Sequence, residues 1–302
     1  MPADRPLLGI VLMIGFCAIA PMGDAIAKIL GGTISLGQLL LVRFGVQAML
    51  LVPVIWWSGR SFAMSPRVLR LTALRTVLHI LGIGAMFTSL RFLPLADAVA
   101  IAFVMPFIML LLGRWVLKEY VGPRRLIACA VGFIGTLLVI QPSFAAVGWP
   151  ALLPVFVAVD FALFMLVTRQ IAKDIDPISQ QAVSGLMGAG LLAAILLATA
   201  GLQVPAFELI VPALPEGVLL GAIGVLGTLA HLLMTWSLRF APSATLAPMQ
   251  YLEIPFATLI GWLVFHDLPN GLAALGIAIT ISAGLYIVLR ERAMARALSA
   301  EA

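Results

Sequence analysis

Ten apolar runs follow one another along this 302-residue chain and are separated by short polar links. Each run is long enough to cross a hydrocarbon core of roughly 30 Å as a helix of about 20 residues. With 63% apolar residues, 10% charged residues and a mean hydropathy of +1.15, the chain lies outside the range of soluble domains. These runs predict an all-α integral membrane protein with ten transmembrane helices, at residues 7–29, 36–57, 70–90, 94–113, 124–141, 149–169, 178–200, 216–238, 242–265 and 270–290.

The continuity of the runs favours helices over a membrane β-barrel, whose strands would alternate polar and apolar residues over about ten positions. The links carry Gly, Pro, Ser and most of the charge, and none is long enough to fold as a separate domain. The first run contains Ala18, Ile19 and Ala20, which could mark the end of a secretory signal. Because Pro21 follows at once and the run continues past Asp24, we expect it to be retained as the first helix.

The basic residues are distributed unequally between the links. If the N-terminus is cytoplasmic, 14 of the 18 Lys and Arg residues lie on the cytoplasmic side: Arg5, Arg60, Arg67, Arg70, Arg114, Lys118, Arg124, Arg125, Arg169, Lys173, Arg239, Arg290, Arg292 and Arg296. Such an excess governs the orientation of membrane helices, so we predict that both termini are cytoplasmic. The net charge of +5 and the pI near 9.8 follow from the same bias and do not indicate a nucleic-acid partner.

One motif occurs twice in the chain. The stretch RFLPLADAVAIAFVMP at 91–106 matches RFAPSATLAPMQYLEIP at 239–255, an offset of 148 residues from Arg91 to Arg239. This offset crosses five predicted spans, and an odd number of crossings places the two arginines on opposite sides of the membrane. We therefore predict two inverted five-helix repeats, residues 1–143 and 144–302, which is an architecture that allows alternating access.

The fifth and tenth spans both carry small residues at every fourth position, namely Ala128, Gly132 and Thr136 in one and Gly276, Thr280 and Gly284 in the other. Small residues let helix backbones approach closely in lipid, where apolar side chains gain little from association. These spans are predicted to pack against one another within the chain, or to form a homodimer contact.

Two prolines occupy nearly equivalent positions of the repeats, Pro106 in the fourth span and Pro255 in the ninth. A proline inside a helix removes a hydrogen bond and bends the helix, which leaves carbonyl groups for a neighbour or for water in a cavity. We predict helix kinks at both prolines and consider their spans candidate cavity walls, with ordinary packing as the alternative.

Polar side chains inside the predicted spans are the candidates for substrate binding or coupling. A charge at the centre of a membrane helix costs about 2.5 to 3.5 kcal/mol, so such residues usually have a functional or pairing role that offsets this cost. The candidates are Asp24, Arg43, His79, Asp160, His231, Gln250 and Glu253, together with Tyr251. The ring of Tyr251 and that of Phe103, which aligns with it in the first repeat, could bind a flat ligand or face lipid.

Several of these candidates also have a purely structural interpretation. Asp24 lies four residues before Lys28, so the two charges could neutralise one another on one helix face. Arg43 could pair with Asp24 or Asp160, or extend toward the membrane surface. The two intramembrane histidines lie in corresponding spans and could handle substrate or protons, although buried histidines are commonly neutral and bonded to the backbone.

Glu253 carries the strongest functional indication, because its counterpart in the first repeat is Met105 and that of Gln250 is Ala102. One repeat therefore has polar groups that the other lacks. A carboxyl group in a cavity could exchange a proton with each side of the membrane in turn, or bind a cationic group of a substrate.

The ten-span plan, the duplicated motif and the sequence GDAIAK at 23–28 resemble the EamA-type branch of the drug/metabolite transporter superfamily. The resemblance covers roughly residues 7–290 and implies a bacterial inner-membrane carrier with a central cavity lined by spans other than the fifth and tenth. Members of this branch carry amino acids, nucleosides, S-adenosylmethionine, riboflavin and other metabolites, so the resemblance implies a transporter without specifying its cargo.

Motifs of hydrolases, metalloenzymes and nucleotide-binding loops, such as HExxH, GxSxG and GxxxxGK, do not occur in the sequence. Cys17 and Cys129 are too few for a disulfide framework or a zinc site, and we expect no cofactor and no metal. The sequence therefore predicts a secondary active transporter of a small organic metabolite, with proton coupling as one option. The alternative is a membrane-embedded enzyme or lipid-handling scaffold that uses the same cavity.

Overall fold

The computed structural model describes residues 5–118 and 122–300, and this part of the chain is helical throughout its regular elements. Short 3₁₀ helices cover Trp149–Leu152, Pro205–Phe207 and Ala247–Leu252. The α-helices are α1 (Pro6–Leu30), α2 (Leu36–Ser58), α3 (Pro66–Ser89), α4 (Leu95–Ala102), α5 (Met105–Trp115), α6 (Pro123–Val147), α7 (Leu153–Ile171), α8 (Pro177–Thr199), α9 (Leu214–Phe240), α10 (Ser243–Leu246), α11 (Glu253–Phe265) and α12 (Gly271–Ala300).

Seven helical segments of the described chain are long and apolar enough to cross a membrane: Pro6–Leu30, Leu36–Ser58, Pro66–Ser89, Leu95–Trp115, Trp149–Ile171, Pro177–Thr199 and Leu214–Phe240. Three shorter apolar helices follow the same pattern at Leu126–Leu138, Met249–Phe265 and Gly271–Ala283. These ten segments correspond to the ten predicted spans, so the chain is an all-α, multi-pass membrane protein.

Local capping explains where the helices begin. The predicted third span starts at residue 70, whereas α3 begins at Pro66 because the Ser65 hydroxyl accepts a hydrogen bond from the Val68 N–H at 3.3 Å. Proline suits the first helical position, where its missing N–H breaks no intrahelical bond. Between α6 and α7, Gly148 has a φ of 70°, a conformation that glycine adopts without the strain a side chain would introduce.

The fourth and ninth spans are each broken in the middle. In the fourth span α4 ends at Ala102 and α5 begins at Met105; in the ninth, the 3₁₀ turn Ala247–Leu252 precedes Glu253, the first residue of α11. Because Met105 and Glu253 are 148 residues apart, the breaks occupy equivalent positions of the duplicated motif. The sequence predicted a bend at each proline, but Pro106 and Pro255 instead lie in the first turn after the break, where helix N–H groups have no intrahelical partner.

The helices pair according to one pattern. α1 packs on α9 and α3 packs on α7, while α2 packs on α8, α4 on α11 and α6 on α12. When every helix is replaced by the one five crossings away, α1 with α9 becomes α7 with α3, and α4 with α11 becomes α10 with α5, which are also in contact. The pairs α2 with α8 and α6 with α12 each become themselves. Each exchanged pair is thus again a pair that the structure contains, as expected for two halves related by an approximate two-fold axis.

One end of the bundle collects arginines near the helix termini. Arg239 Nη1 donates a hydrogen bond to the Ile175 carbonyl at 3.0 Å, and Arg60 Nη1 pairs with Asp176 at 2.5 Å. The backbone N–H of Arg5 donates to the Phe240 carbonyl at the same end. We call this the basic end and define it by Arg5, Arg60, Arg67, Arg169 and Arg239.

The opposite end is organised around Lys28 at the end of α1. Its Nζ donates to the Leu93 carbonyl at 3.1 Å and pairs with Asp267 at 3.4 Å, rather than with Asp24 one turn away. Arg91, the motif equivalent of Arg239, lies here against Gly31. We call this the Lys28 end, so the two equivalent arginines lie at opposite ends of the bundle.

The small residues of α6 and α12 bring these two helices into close contact. A Cβ atom at Gly135 would lie 2.6 Å from the Gly276 carbonyl oxygen and 2.8 Å from Thr280 Cγ2. The structure thus confirms packing within the chain, which was one of the two predicted uses of these faces. A homodimer contact through the same helices stays a prediction.

Substituting Gly135 with alanine is expected to destabilise the protein by about 1–3 kcal/mol, the usual cost of overpacking. The methyl group would meet the Gly276 backbone, which cannot move aside unless α6 and α12 separate. The measurement is the apparent melting temperature of purified protein in detergent. Gly190→Ala in α8 is the control, because a Cβ there meets no atom within 4 Å, and equal melting temperatures for the two variants would contradict the tight α6–α12 contact.

Candidate functional site

Two adjoining cavities lie in the middle of the bundle, displaced toward the Lys28 end. The larger has an empty volume of about 620 Å³ and the smaller about 360 Å³. Ala20, Asp24, Ile83, Phe87 and His231 line both, so we treat them as the large chamber and the small chamber of one cavity.

The walls of the large chamber come from both sequence halves. They are formed by α1, α3, α4, α5, α7, α9 and α11, and the described lining includes no residue of α6 or α12. Most of the lining is apolar, with four aromatic rings from Phe16, Phe87, Phe103 and Phe161. An apolar, aromatic chamber with few polar groups is suited to a flat organic molecule.

Two carboxyl groups line the large chamber, Asp24 on α1 and Glu253 on α11. Glu253 is 8% exposed, and the structure shows no hydrogen bond or ion pair between its carboxyl group and any other described residue. As the first residue of α11 it also lies at the partially positive end of a helix. A carboxyl group of this kind is free to bind a proton or a cationic group inside the cavity.

The small chamber contains the buried arginine of α2. Arg43 is 4% exposed, its Nη1 has no hydrogen-bond partner, and none of the ion pairs among the described residues includes it. Gly227 makes room for it, since a Cβ at that position would lie 2.8 Å from Arg43 Nε. The sequence left open pairing with Asp24 or Asp160, or extension toward the surface. Asp24 lines the same chamber and attracts Arg43 electrostatically without a direct ion pair, and the buried guanidinium does not extend to the surface.

The two intramembrane histidines meet beside the chambers. His79 Nε2 and His231 Nε2 are 3.2 Å apart, so one ring donates and the other accepts. Both Nδ1 atoms lack a partner among the described residues, and the rings of Phe44 and Phe164 surround the pair. His231 lines both chambers, whereas His79 lies behind it and lines neither.

Three other predicted site residues lie outside the cavity lining. Asp160 is 4% exposed, and its unpartnered Oδ2 lies against Gly82 in the wall of the large chamber. Gln250 Nε2 lies 2.9 Å from Met165 Sδ. Tyr251 is fully buried and donates to the Cys129 carbonyl at 3.2 Å, so it faces neither ligand nor lipid.

The predicted kink prolines lie next to the cavity without lining it. The residues before them do line the large chamber, Met105 before Pro106 and Glu253 two positions before Pro255. Of the two aromatic residues that the sequence proposed as ligand surface, Phe103 lines the large chamber, whereas Tyr251 lies behind it with the ring centres 5.8 Å apart. The broken spans thus contribute walls, as expected, through the residues at the break.

A buried arginine that sequence reasoning did not select organises the basic-end side of the cavity. Arg75 on α3 is fully buried, and its three guanidinium nitrogens donate to Thr168 Oγ1 at 2.8 Å, Ser184 Oγ at 2.9 Å and Thr235 Oγ1 at 3.4 Å. Its Cζ lies 4.5 Å from the centre of the Phe164 ring. These partners belong to α7, α8 and α9, so one side chain joins four helices.

Two glutamines extend these contacts to α2. Gln181 Nε2 donates to Thr235 Oγ1 at 3.0 Å and to the His231 carbonyl at 2.9 Å, while Gln47 Nε2 donates to the Gln181 carbonyl at 2.7 Å. All of these groups lie between the chambers and the basic end. We call them the Arg75 network and define it by Gln47, Arg75, Thr168, Gln181, Ser184 and Thr235.

Comparison with known proteins gives a consistent result. The model of the EamA-like transporter family matches the chain twice, at residues 7–141 and 148–290. A riboflavin transporter of Rhizobium johnstonii is 31% identical over 252 residues, which is 78% of this chain and 80% of that protein. An S-adenosylmethionine uptake transporter of Rickettsia bellii is 24% identical over 271 residues, 89% of each chain.

A second riboflavin transporter, from Brucella anthropi, is 27% identical and covers 84% of this chain and 88% of its own length. A protein with a solved crystal structure shares the fold with a TM-score of 0.70, at 17% identity, over 96% of this chain and 98% of that one. The similarity therefore extends over nearly the full described architecture rather than over one half.

Proposed function

This chain belongs to the EamA-like transporter family and is not an enzyme, and from that premise we propose that it is a secondary active transporter working by alternating access. Its cargo is a small organic metabolite, in the class of the riboflavin and S-adenosylmethionine named for its relatives. Its membrane is the bacterial inner membrane, with the basic end and both termini in the cytoplasm, in accord with the excess of positive charge there.

The observation that carries this function is a cavity between two equivalent sets of helices, with a buried network of hydrogen bonds between the two halves on its basic-end side. The Arg75 network connects α2 and α3 of the first half with α7, α8 and α9 of the second, between the cavity and the basic end. The chambers lie on the other side of the network, toward the Lys28 end. This arrangement corresponds to a state closed toward the cytoplasm.

Three features support two inverted repeats at 1–143 and 144–302. When each helix is replaced by its equivalent in the other half, the helix pairs that are in contact give pairs that are also in contact. Arg91 and Arg239, equivalent in the motif, lie at opposite ends of the bundle. The breaks before Met105 and Glu253 fall in the same register. Such symmetry provides a second, cytoplasm-open state of similar energy, in which the network is broken and the cavity is closed toward the Lys28 end.

Proton coupling is one form that this transport can take. Asp24 and Glu253 line the large chamber without an ion-pair partner among the described residues. A carboxyl group that meets each side of the membrane in turn can bind a proton on one side and release it on the other. Glu253 is the group we assign to this exchange, since Met105 at the equivalent position cannot titrate.

Uptake of radiolabelled riboflavin and S-adenosylmethionine into proteoliposomes tests the proposed function. We expect accumulation of at least one cargo in unaltered form, and impermeant thiol reagents should reach cysteines placed beside Arg91 and Arg239 from opposite sides of the membrane. Protein-free liposomes are the control. Labelling of both cysteines from one side would contradict the inverted arrangement, and absence of flux for every cargo tested would contradict transport.

A further inference from the structure

The small chamber contains a guanidinium group whose binding capacity the protein does not use. Arg43 is 4% exposed and Nη1 has no hydrogen-bond partner, although an arginine presents five N–H donors. Leaving a buried charge unpaired is costly, so such charges are ordinarily paired or bound to a ligand. The aromatic ring of Phe44, 5.5 Å from Arg43 Cζ, compensates only part of this cost.

The backbone around Arg43 is shaped to hold the guanidinium in this position. A Cβ at Gly227 would lie 2.8 Å from Nε and 2.9 Å from both Cζ and Nη2, so any larger residue would push the group out of place. Gly221, which lies earlier on the same helix, has no atom within 4 Å of the equivalent Cβ position. The absence of a side chain at Gly227 therefore provides the space on α9 that the guanidinium group of Arg43 occupies.

The composition of the small chamber also restricts the charge of the ligand. Asp24 lines the chamber together with Arg43, and the two side chains form no ion pair. A ligand that carried only negative charge, such as phosphate, would be attracted by the arginine but repelled by the aspartate. A ligand with one anionic and one cationic group can satisfy both side chains at once.

We propose that the small chamber binds the zwitterionic headgroup of an α-amino acid, with Arg43 receiving its carboxylate and Asp24 facing its ammonium group. The remainder of the ligand then extends into the large chamber, against the rings of Phe16, Phe87 and Phe161. This assignment rests on the proposed transport function and names its cargo class: an amino acid with a flat aromatic or heterocyclic body. Between the two cargoes named for its relatives, S-adenosylmethionine carries such a headgroup and riboflavin does not.

The test compares probes that differ in the carboxylate alone: S-adenosylmethionine with its decarboxylated form, and tryptophan with tryptamine. Binding to purified wild-type protein in lipid nanodiscs is measured by calorimetry. For at least one pair we expect the acid to bind about 10- to 100-fold more tightly than the amine, the effect of one charge-assisted hydrogen bond. Wild-type protein that binds neither acid, or that binds acid and amine equally, overturns the proposal.

Two variants test whether Arg43 is the group responsible. In Arg43→Gln the preference for the acid is expected to fall to about threefold or less, because the amide supplies no charge. Gly227→Ala displaces the guanidinium group without removing it, so it is expected to weaken binding of the acid more than binding of the amine. The matched control Gly221→Ala should bind as wild type does, and melting temperatures without ligand confirm that all variants are folded. A preference that persists in Arg43→Gln overturns the proposal.

Two further measurements separate this inference from its premise. If phosphate displaces the bound acid in an Arg43-dependent manner, the chamber is a general anion site and the zwitterion assignment is wrong. If riboflavin enters proteoliposomes while neither acid binds, the cargo class is wrong and the proposed transport function stands. Absence of flux for every probe counts against transport itself.

Discussion

Glu253→Gln is expected to abolish the component of uptake that a pH gradient drives, while the variant still binds its cargo. The glutamine amide has nearly the shape of the carboxyl group but cannot gain or lose a proton in this range. Glu253 lines the large chamber, so the substitution removes one of its two carboxyl groups without removing volume. The measurement is initial uptake into proteoliposomes with and without an imposed pH difference.

The same experiment has a matched control and a clear contrary outcome. Glu208, exposed in the link between α8 and α9, should tolerate the same substitution without any change in uptake. For Glu253→Gln, cargo affinity is expected to stay within about threefold of wild type, well under the tenfold step that about 1.4 kcal/mol produces. If uptake by Glu253→Gln keeps the wild-type response to the pH difference, Glu253 has no part in coupling.

Arg75→Leu is expected to open the cavity toward the basic end and to stop productive transport. Three hydrogen bonds from the guanidinium group hold α7, α8 and α9 against α3 in the present state. Bonds to a charged group contribute about 1.5–3 kcal/mol each, so losing even 3 kcal/mol shifts the ratio of the two states about 150-fold. A transporter confined to one state cannot complete its cycle.

Thiol accessibility measures this shift directly. Ile83 lines both chambers, so a cysteine at that position, in protein whose Cys17 and Cys129 are replaced by alanine, reports from which side the cavity is reached. In the otherwise unaltered protein an impermeant reagent should react only from the Lys28 end. With Arg75→Leu it should also react from the basic end.

Two further variants distinguish the network from general effects of charge. Arg70→Leu removes an exposed arginine from the same helix and should leave accessibility unchanged. Arg75→Lys keeps the charge but lacks the planar fork that reaches three hydroxyl groups in different directions, so it should resemble Arg75→Leu in part. Unaltered labelling from the basic end in Arg75→Leu would show that other contacts keep this side closed.

The membrane architecture was predictable from the sequence because it depends on local properties. Apolar runs fix the spans, serine and proline fix helix starts such as that of α3, and small residues at fourth positions identified α6 and α12 as a pair. The duplicated motif also predicted equivalent positions in the fourth and ninth spans, which the structure shows as equivalent breaks. These signals are short-range, so they can be read without knowing which helices are neighbours.

The candidate site was predictable only in part. Polar side chains are costly inside a membrane and usually have a role there, and this criterion selected four residues that do line the cavity: Asp24, Arg43, His231 and Glu253. The same criterion also selected Gln250, which contacts Met165 instead, and Tyr251, selected for its aromatic ring, is buried against α6. Burial depth alone cannot distinguish a cavity wall from a polar contact between packed helices.

Arg75 shows most clearly what required the tertiary structure. In the sequence it is an arginine near the start of a span, and its partners Thr168, Ser184 and Thr235 lie between 93 and 160 residues away. Only the pairing of α3 with α7 and α8, beside α9, brings these groups together.

By itself the sequence determined that this chain crosses the membrane as helices and that it consists of a duplicated unit. Hydrophobic transfer and backbone hydrogen bonding act locally in lipid and leave few alternatives. The tertiary structure decided which polar groups meet, which remain without partners in the chambers, and where the Arg75 network joins the two halves. Those outcomes depend on helix rotation and close packing, because a shift of a few ångströms breaks a hydrogen bond or opens a gap between side chains.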